Sequence, residues 1–244
     1  TPFPARDTTF HQRSYDMLMH DLALQNLNVA LCMDRGGLSG DDGPTHHGLF
    51  DIAYLRGVPG LVHMSPKDED EFVDMLWTMA NHDSGPIAIR YPRGSGVGAK
   101  PKDKPVLLEI GTAQVVEPEG EVALIGLGSM FEMAEKTRAL LAQKGIKAAL
   151  INPRWIKPLD GAVLTRFADQ CRVICTFEDH VLKHGFGAAV IEHLHDAGSH
   201  TPVVRIGWPD EFIEHGTIPV LRKKHGLTPE HAVEKILVAL PRGA

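Results

Sequence analysis

Apolar and polar residues run along the chain in blocks that switch repeatedly between helical and strand spacing. Thr8 and Thr9 can cap a helix, and Tyr15, Leu18 and Leu22 then recur at three- and four-residue steps, which predicts a helix over residues 10–23. The unbroken run Val29-Ala30-Leu31-Cys32-Met33 predicts a buried strand that delivers Asp34 and Arg35 at its carboxyl end. A short helix over 50–56 and a strand over 61–64 follow. Ser65-Pro66-Lys67-Asp68-Glu69 then opens a helix with Phe72, Val73, Leu76, Trp77 and Ala80 on one face. A strand over 86–89 ends on Arg90, after which residues 91–104 lose periodicity and gain Pro, Gly and Lys in the manner of a linker.

The second half resumes the alternation. Strands are predicted over 122–127, 148–152, 173–177 and 203–206, and helices over 130–143, 187–195 and 230–240. Strands separated by helices pair in parallel through right-handed crossovers. The fold class is therefore α/β, with two open, mainly parallel sheets. The first domain is placed at 8–93, a linker at 94–110 and the second domain at 111–244, with residues 1–7 outside both.

Composition narrows the function classes. The 244 residues are 43% hydrophobic and 23% charged, enough for two moderate domains, and the formal charge is −6 with the positive charges scattered. Such a balance offers no footprint for nucleic acid or an anionic membrane surface. No apolar run approaches the roughly 20 residues needed to span a bilayer, and TPFPARD has no basic-then-apolar signal pattern. Cys32, Cys171 and Cys175 sit in or beside apolar runs, as buried thiols in a reducing compartment do. A cytoplasmic location is expected.

Candidate chemistry gathers in two places. The stretch from Asp34 to Gly48 puts carboxylates, His46, His47 and Arg35 on flexible backbone behind a strand, where ligands meet open α/β sheets. Arg90 and Arg93 flank Tyr91-Pro92, so a second strand end can present a guanidinium, and two arginines can grip a phosphate bidentately. Weaker patterns carry little. Gly126-Leu127-Gly128-Ser129 has Phe131 in place of the third glycine of a dinucleotide loop and reads as a tight turn, and His180 with His184 lacks the zinc-protease glutamate and a third ligand. No metal-ligand set is expected on this chain.

Several blocks resemble the 1-deoxy-D-xylulose-5-phosphate synthases. They are Thr9-Phe10-His11-Gln12-Arg13-Ser14-Tyr15-Asp16, the segment DRGGLSGDDGPTHHGLFDIAYLR at 34–56, Pro66-Lys67-Asp68, Ile89-Arg90-Tyr91-Pro92-Arg93-Gly94, the segment NPRWIKPLD at 152–160, Glu178-Asp179 and Gly207-Trp208-Pro209-Asp210-Glu211-Phe212. The resemblance implies a pyrimidine-binding domain, short at its start, followed by the carboxy-terminal domain of the transketolase superfamily. It implies thiamine diphosphate and Mg2+ as cofactors, pyruvate and glyceraldehyde 3-phosphate as substrates, and a homodimer. Phe10 and Arg13 would frame the aminopyrimidine, Arg35 and Arg90 would hold the acceptor phosphate, and Asp42 and His46 would contact the reacting carbons and move protons. The family's activating glutamate and its Gly-Asp-Gly metal signature lie upstream of the matching stretch, so a missing amino-terminal half is expected to anchor both cofactors, and the chain alone is expected to be inactive. Residue Asp7 departs from the family, which carries Tyr there. Other readings of the same architecture are a non-catalytic dimerisation or phosphate-binding module, or a subunit of a transketolase or 2-oxoacid dehydrogenase.

Overall fold

The computed structural model describes residues 1–240. The chain opens with β1 (Ala5–Asp7), a 3-10 turn over Thr8–Ser14, α1 (Tyr15–Met17) and a wider-wound turn over Leu18–Ala23. The single regular helix predicted over 10–23 is thus split into three windings. Its face carries little to bury: Tyr15 and Met17 are exposed, and Leu18 alone in Tyr15–Ala23 is fully covered. Then come β2 (Ala30–Asp34), α2 (Asp51–Arg56), β3 (Val62–Met64), α3 (Glu69–Ala80) and β4 (Ile87–Arg90), all within a residue or a few of the predicted positions.

The second half contains β5 (Gln114–Glu117), β6 (Val122–Gly126), α4 (Phe131–Gln143), β7 (Ala148–Asn152), β8 (Trp155–Lys157) and α5 (Gly161–Gln170). It ends with β9 (Val173–Val181), α6 (Phe186–Asp196), β10 (Val203–Trp208), α7 (Ile218–Lys224) and α8 (Pro229–Ala239). The sequence reading assigns nothing to β1, β5, β8, α5 or α7. The three strands are short edges without alternation. α5, however, shows Leu164, Phe167 and Ala168 buried at helical spacing behind an Asp160 cap that accepts from Val163 N at 3.0 Å.

Two five-stranded sheets result, ordered β1-β2-β4-β3-β8 and β10-β9-β6-β7-β5. Every pairing is parallel except β3 with β8 and β5 with β7. Residues 1–7 belong to the first sheet, since Ala5, Arg6 and Asp7 stand in register with Cys32, Met33 and Asp34, and the Pro2 and Pro4 carbonyls accept from Ala30 N and Cys32 N at 3.0 and 2.9 Å. The proline nitrogens lack a proton, so these residues suit an edge that only accepts. β8 comes from the second half yet closes the first sheet, and its Trp155 is fully buried against Met64, Met75 and Met79 of that layer.

The connecting stretch 94–110 has no regular structure but is tied down by the polar face of α3. Gly98 N donates to Glu69 Oε1 at 2.8 Å, Lys102 N to Asp70 Oδ1 at 2.7 Å, Val106 N to Asp74 Oδ1 at 2.8 Å and Leu108 N to Thr78 Oγ1 at 2.9 Å. Irregular backbone needs partners for its amides, and α3 supplies them. The three cysteines are free and buried.

Candidate active site

β2 hands the chain to the candidate loop at Asp34. Arg35, next in line, has a φ of +57°, an uncommon conformation for a non-glycine residue. It is held there because its N–H donates to Asp34 Oδ1 at 2.7 Å, while Thr8 Oγ1 donates to the Asp34 carbonyl at 2.6 Å. The loop neck closes where Gly37 and Gly48 exchange N–H to carbonyl bonds of 2.8 Å each. Both must be glycine. A Cβ on Gly48 would stand 2.2 Å from the Arg35 carbonyl oxygen, and one on Gly37, at φ +104°, would stand 2.5 Å from Asp179 Oδ2.

Within the loop, Asp42 is the meeting point. Its Oδ2 accepts from the Arg35 guanidinium and, at 2.6 Å, from Arg93 Nη1, which also donates to the Ser39 carbonyl at 3.2 Å. Asp7 Oδ2 approaches Arg35 Nε from the other side at 3.2 Å. Four alternating charges therefore line up as Asp7, Arg35, Asp42 and Arg93, with two cations converging on one carboxylate oxygen, which is how an anion site is built. At the far end of the loop, Thr45 Oγ1 lies 3.0 Å from His46 Nδ1, and the His46 ring stands edge-on to Phe10 at 5.8 Å between centroids. Phe10 is 43% exposed, and Arg13 is exposed on the same turn. Arg35, Asp42, His46 and Phe10 are thus brought to one region.

Arg90 is not among them. It is 3% exposed and its Nε donates to Asp51 Oδ2 at 2.6 Å, while Nη2 donates to the carbonyls of Gly48 and Asp179 at 3.3 and 3.1 Å. Burial alone raises the Asp51 carboxyl, but the Arg90 guanidinium, by its charge and its hydrogen bond, outweighs it and keeps the group below its ordinary value. Burial brings the neighbouring His63 and His180 down to about 3 and about 4, so both are neutral. In this structure Arg90 is an interior tie between the two halves, and it is Arg93 that shares Asp42 with Arg35. The signal was the pair itself, since Arg90 ends an apolar strand whereas Arg93 follows Pro92 in irregular chain.

Arg93 also borders a cleft of about 340 Å³ between the two sheets, shared by Leu38, Tyr91, Ser129, Asp179 and Arg222. Gly126-Leu127-Gly128-Ser129 makes the predicted tight turn from β6 into α4, with Gly128 at φ +56°. β9 runs on past its predicted end because its charged residues find partners. Glu178 accepts from Phe186 N and Gly187 N at 2.6 and 2.9 Å, Asp179 accepts from Trp208 Nε1 at 2.6 Å, and His180 Nε2 accepts from Ala53 N at 3.2 Å.

The exposed Phe10 face, with His46 at its edge, suits a flat heteroaromatic ring such as an aminopyrimidine. For a metal the fit is poor, because among the described residues no group of three or more His, Cys, Asp or Glu side chains is placed to hold one.

The chain belongs to the transketolase family. Residues 1–97 match the transketolase pyrimidine binding domain and residues 111–232 the transketolase C-terminal domain. Within that family the chain is similar to the 1-deoxy-D-xylulose-5-phosphate synthases and spans about two fifths of the length of the curated relatives it matches. It is 55% identical over 243 residues to the synthase of Acidobacterium capsulatum, covering 100% of this chain and 39% of the relative, and 54% identical to that of Methylacidiphilum infernorum, covering 98% and 38%. A solved structure described as a split gene transketolase, inactive beta4 tetramer, superposes with a TM-score of 0.87 at 27% identity, covering 98% of this chain and 76% of the other.

Proposed function

We propose that this chain supplies the pyrimidine wall and the acceptor-phosphate grip of a thiamine-diphosphate-dependent enzyme that joins pyruvate to glyceraldehyde 3-phosphate, releasing carbon dioxide and forming 1-deoxy-D-xylulose 5-phosphate. The observation that carries the reading is Asp42 clasped by Arg35 and Arg93, on the same loop that sets His46 against Phe10. An acceptor phosphate binds the two guanidinium groups in place of the Asp42 carboxylate, a bidentate exchange that also frees Asp42 to turn toward the reacting carbons.

Condensation consumes one proton, because the acceptor aldehyde oxygen becomes a hydroxyl. His46 delivers it, since Thr45 Oγ1, bonded to Nδ1, leaves Nε2 for the transfer. Phe10 offers its open face to the aminopyrimidine and Arg13 flanks that pocket. The cofactor, when bound, supplies the nucleophilic carbon that lets pyruvate lose carbon dioxide, and Mg2+ with the diphosphate is held by a second half that completes the site. Exposed Met17, Leu24 and Leu27 beyond Phe10 support a covered, dimeric assembly, and the tetramer named for the split-gene relative supports association without turnover.

The chain alone, given cofactor, Mg2+ and both substrates, is expected to show no turnover, and the chain joined to a synthase diphosphate-binding half is expected to turn over. In the joined enzyme, His46→Ala should lower kcat by about 10²–10⁴. Undiminished turnover in His46→Ala would remove His46 from the mechanism, and turnover by the chain alone would remove the need for the second half.

A further inference from the structure

We propose that His47 is a positioning residue through which the carboxy-terminal domain sets the place of His46 and Arg93. His47 is 1% exposed although it follows a half-buried histidine in a polar, glycine-rich loop. Its ring spans the two halves of the molecule: Nδ1 accepts from Ser39 N at 3.2 Å, and Nε2 donates to the Glu214 carbonyl at 3.2 Å. An amide N–H can only donate and a carbonyl can only accept, so the ring is fixed as the neutral Nε2–H tautomer.

Ser39 passes the constraint on. Its Oγ donates to the His46 carbonyl at 2.7 Å, and its own carbonyl accepts from Arg93 Nη1 at 3.2 Å. One residue therefore links His47 both to the proposed proton donor and to the proposed phosphate arginine. The far anchor is itself braced, because the Glu214 carboxylate is bonded to Lys224 and lies 3.3 Å from His225 Nε2. Asp179 Oδ1, accepting from Leu38 N at 3.3 Å, holds the loop to the same domain one residue earlier.

Protonation breaks this arrangement, because a second ring N–H would then face the Ser39 N–H. Burial holds His47 below its ordinary value. The Glu214 and Ile213 carbonyls and the Asp179 and Asp42 carboxylates pull the other way without overcoming it. The unfolded chain thus binds a proton that the folded loop refuses, so the tie is fully present above the unfolded value near 6.5 and is lost as pH falls below it toward the depressed folded value.

Amide hydrogen exchange on the full chain tests the tie without using catalysis. His47→Phe keeps the volume but neither bond, and Ser39 N–H should then exchange roughly tenfold faster. His47→Gln restores an acceptor and a donor at similar separation and should return Ser39 to near the parent rate. In the unmodified chain, Ser39 protection should fall as pH drops through the His47 titration, whereas His47→Gln should show no such fall. Unchanged Ser39 exchange in His47→Phe, or an equal pH response in His47→Gln, overturns the proposal. Its consequence for chemistry rests on the function proposed above: in the joined enzyme His47→Phe should lower kcat and raise KM for glyceraldehyde 3-phosphate, with recovery in His47→Gln. Parent turnover that His47→Phe leaves unchanged overturns the positioning role. Absence of turnover in the parent enzyme overturns the proposed function instead, and the exchange data still decide the tie.

Discussion

Arg90 and Arg93 stand three residues apart, and their surroundings give them different work. Arg90 is buried against Asp51, where water cannot replace a lost partner, whereas Arg93 is 45% exposed and shares Asp42 with Arg35. Removing one member of a buried ion pair leaves the other charge uncompensated and costs about 3–5 kcal/mol. Arg90→Met is therefore expected to lower the urea midpoint of the chain by that equivalent. Arg93→Met should shift stability by no more than about 0.5 kcal/mol, as surface changes do. Equal losses from the two substitutions would contradict the division of labour between them.

At the scale of elements, α3 serves two sides. Its apolar residues Met75 and Met79 enter the core of the first sheet, while its acidic and hydroxyl residues Glu69, Asp70, Asp74 and Thr78 capture the amides of the irregular stretch 98–108. Asp74 is the tightest of these ties, being nearly buried and bonded to both Val106 N and the Lys102 ammonium. Asp74→Ala leaves the Val106 amide without its acceptor, a loss of about 1–3 kcal/mol. Faster hydrogen exchange at Lys102, Val106 and Leu108, with α3 itself still protected, is the expected outcome. Loss of protection throughout α3 would show that the helix depends on the linker rather than the reverse.

Across the whole molecule the two halves are joined by exchange of parts. β8 crosses from the second half to close the first sheet, Arg90 and Asp179 meet between the sheets, and the candidate loop leans on Glu214 and Asp179. Trp155 is the largest group in that exchange and is fully covered, with Nε1 donating to the Thr112 carbonyl at 3.1 Å. Trp155→Ala should cost about 3–5 kcal/mol by cavity formation. Because β8 would lose its anchor, calorimetry should resolve two transitions where the parent chain shows one. Trp77→Ala, at a residue 46% exposed, is the control and should keep a single transition.

The sequence by itself determined the elements whose apolar faces are long and regular. Val29–Met33 and the strand–helix alternation after residue 120 need no partner to be read, because periodicity reflects only which side is buried. The α3 face read as Phe72, Val73, Leu76, Trp77 and Ala80 is displaced, however: Trp77 and Ala80 are exposed, and Met75 and Met79 enter the core. The sequence also singled out the candidate loop: Arg35, Asp42 and His46 follow a buried strand on glycine-rich backbone, and in the structure Arg35 meets Asp42 and His46 meets Phe10. Tertiary structure decided what depends on a partner distant in sequence. The short edges β1, β5 and β8 exist because a neighbouring strand offers hydrogen bonds, not because their own residues alternate. The fates of Arg90 and Arg93 were settled by where Asp51 and Asp42 fall in space, and those of two adjacent histidines by a carbonyl at Glu214, 167 residues from His47. Hydrophobic spacing is a local property written in the chain, whereas the direction of a charged side chain is set by the charge that packs against it.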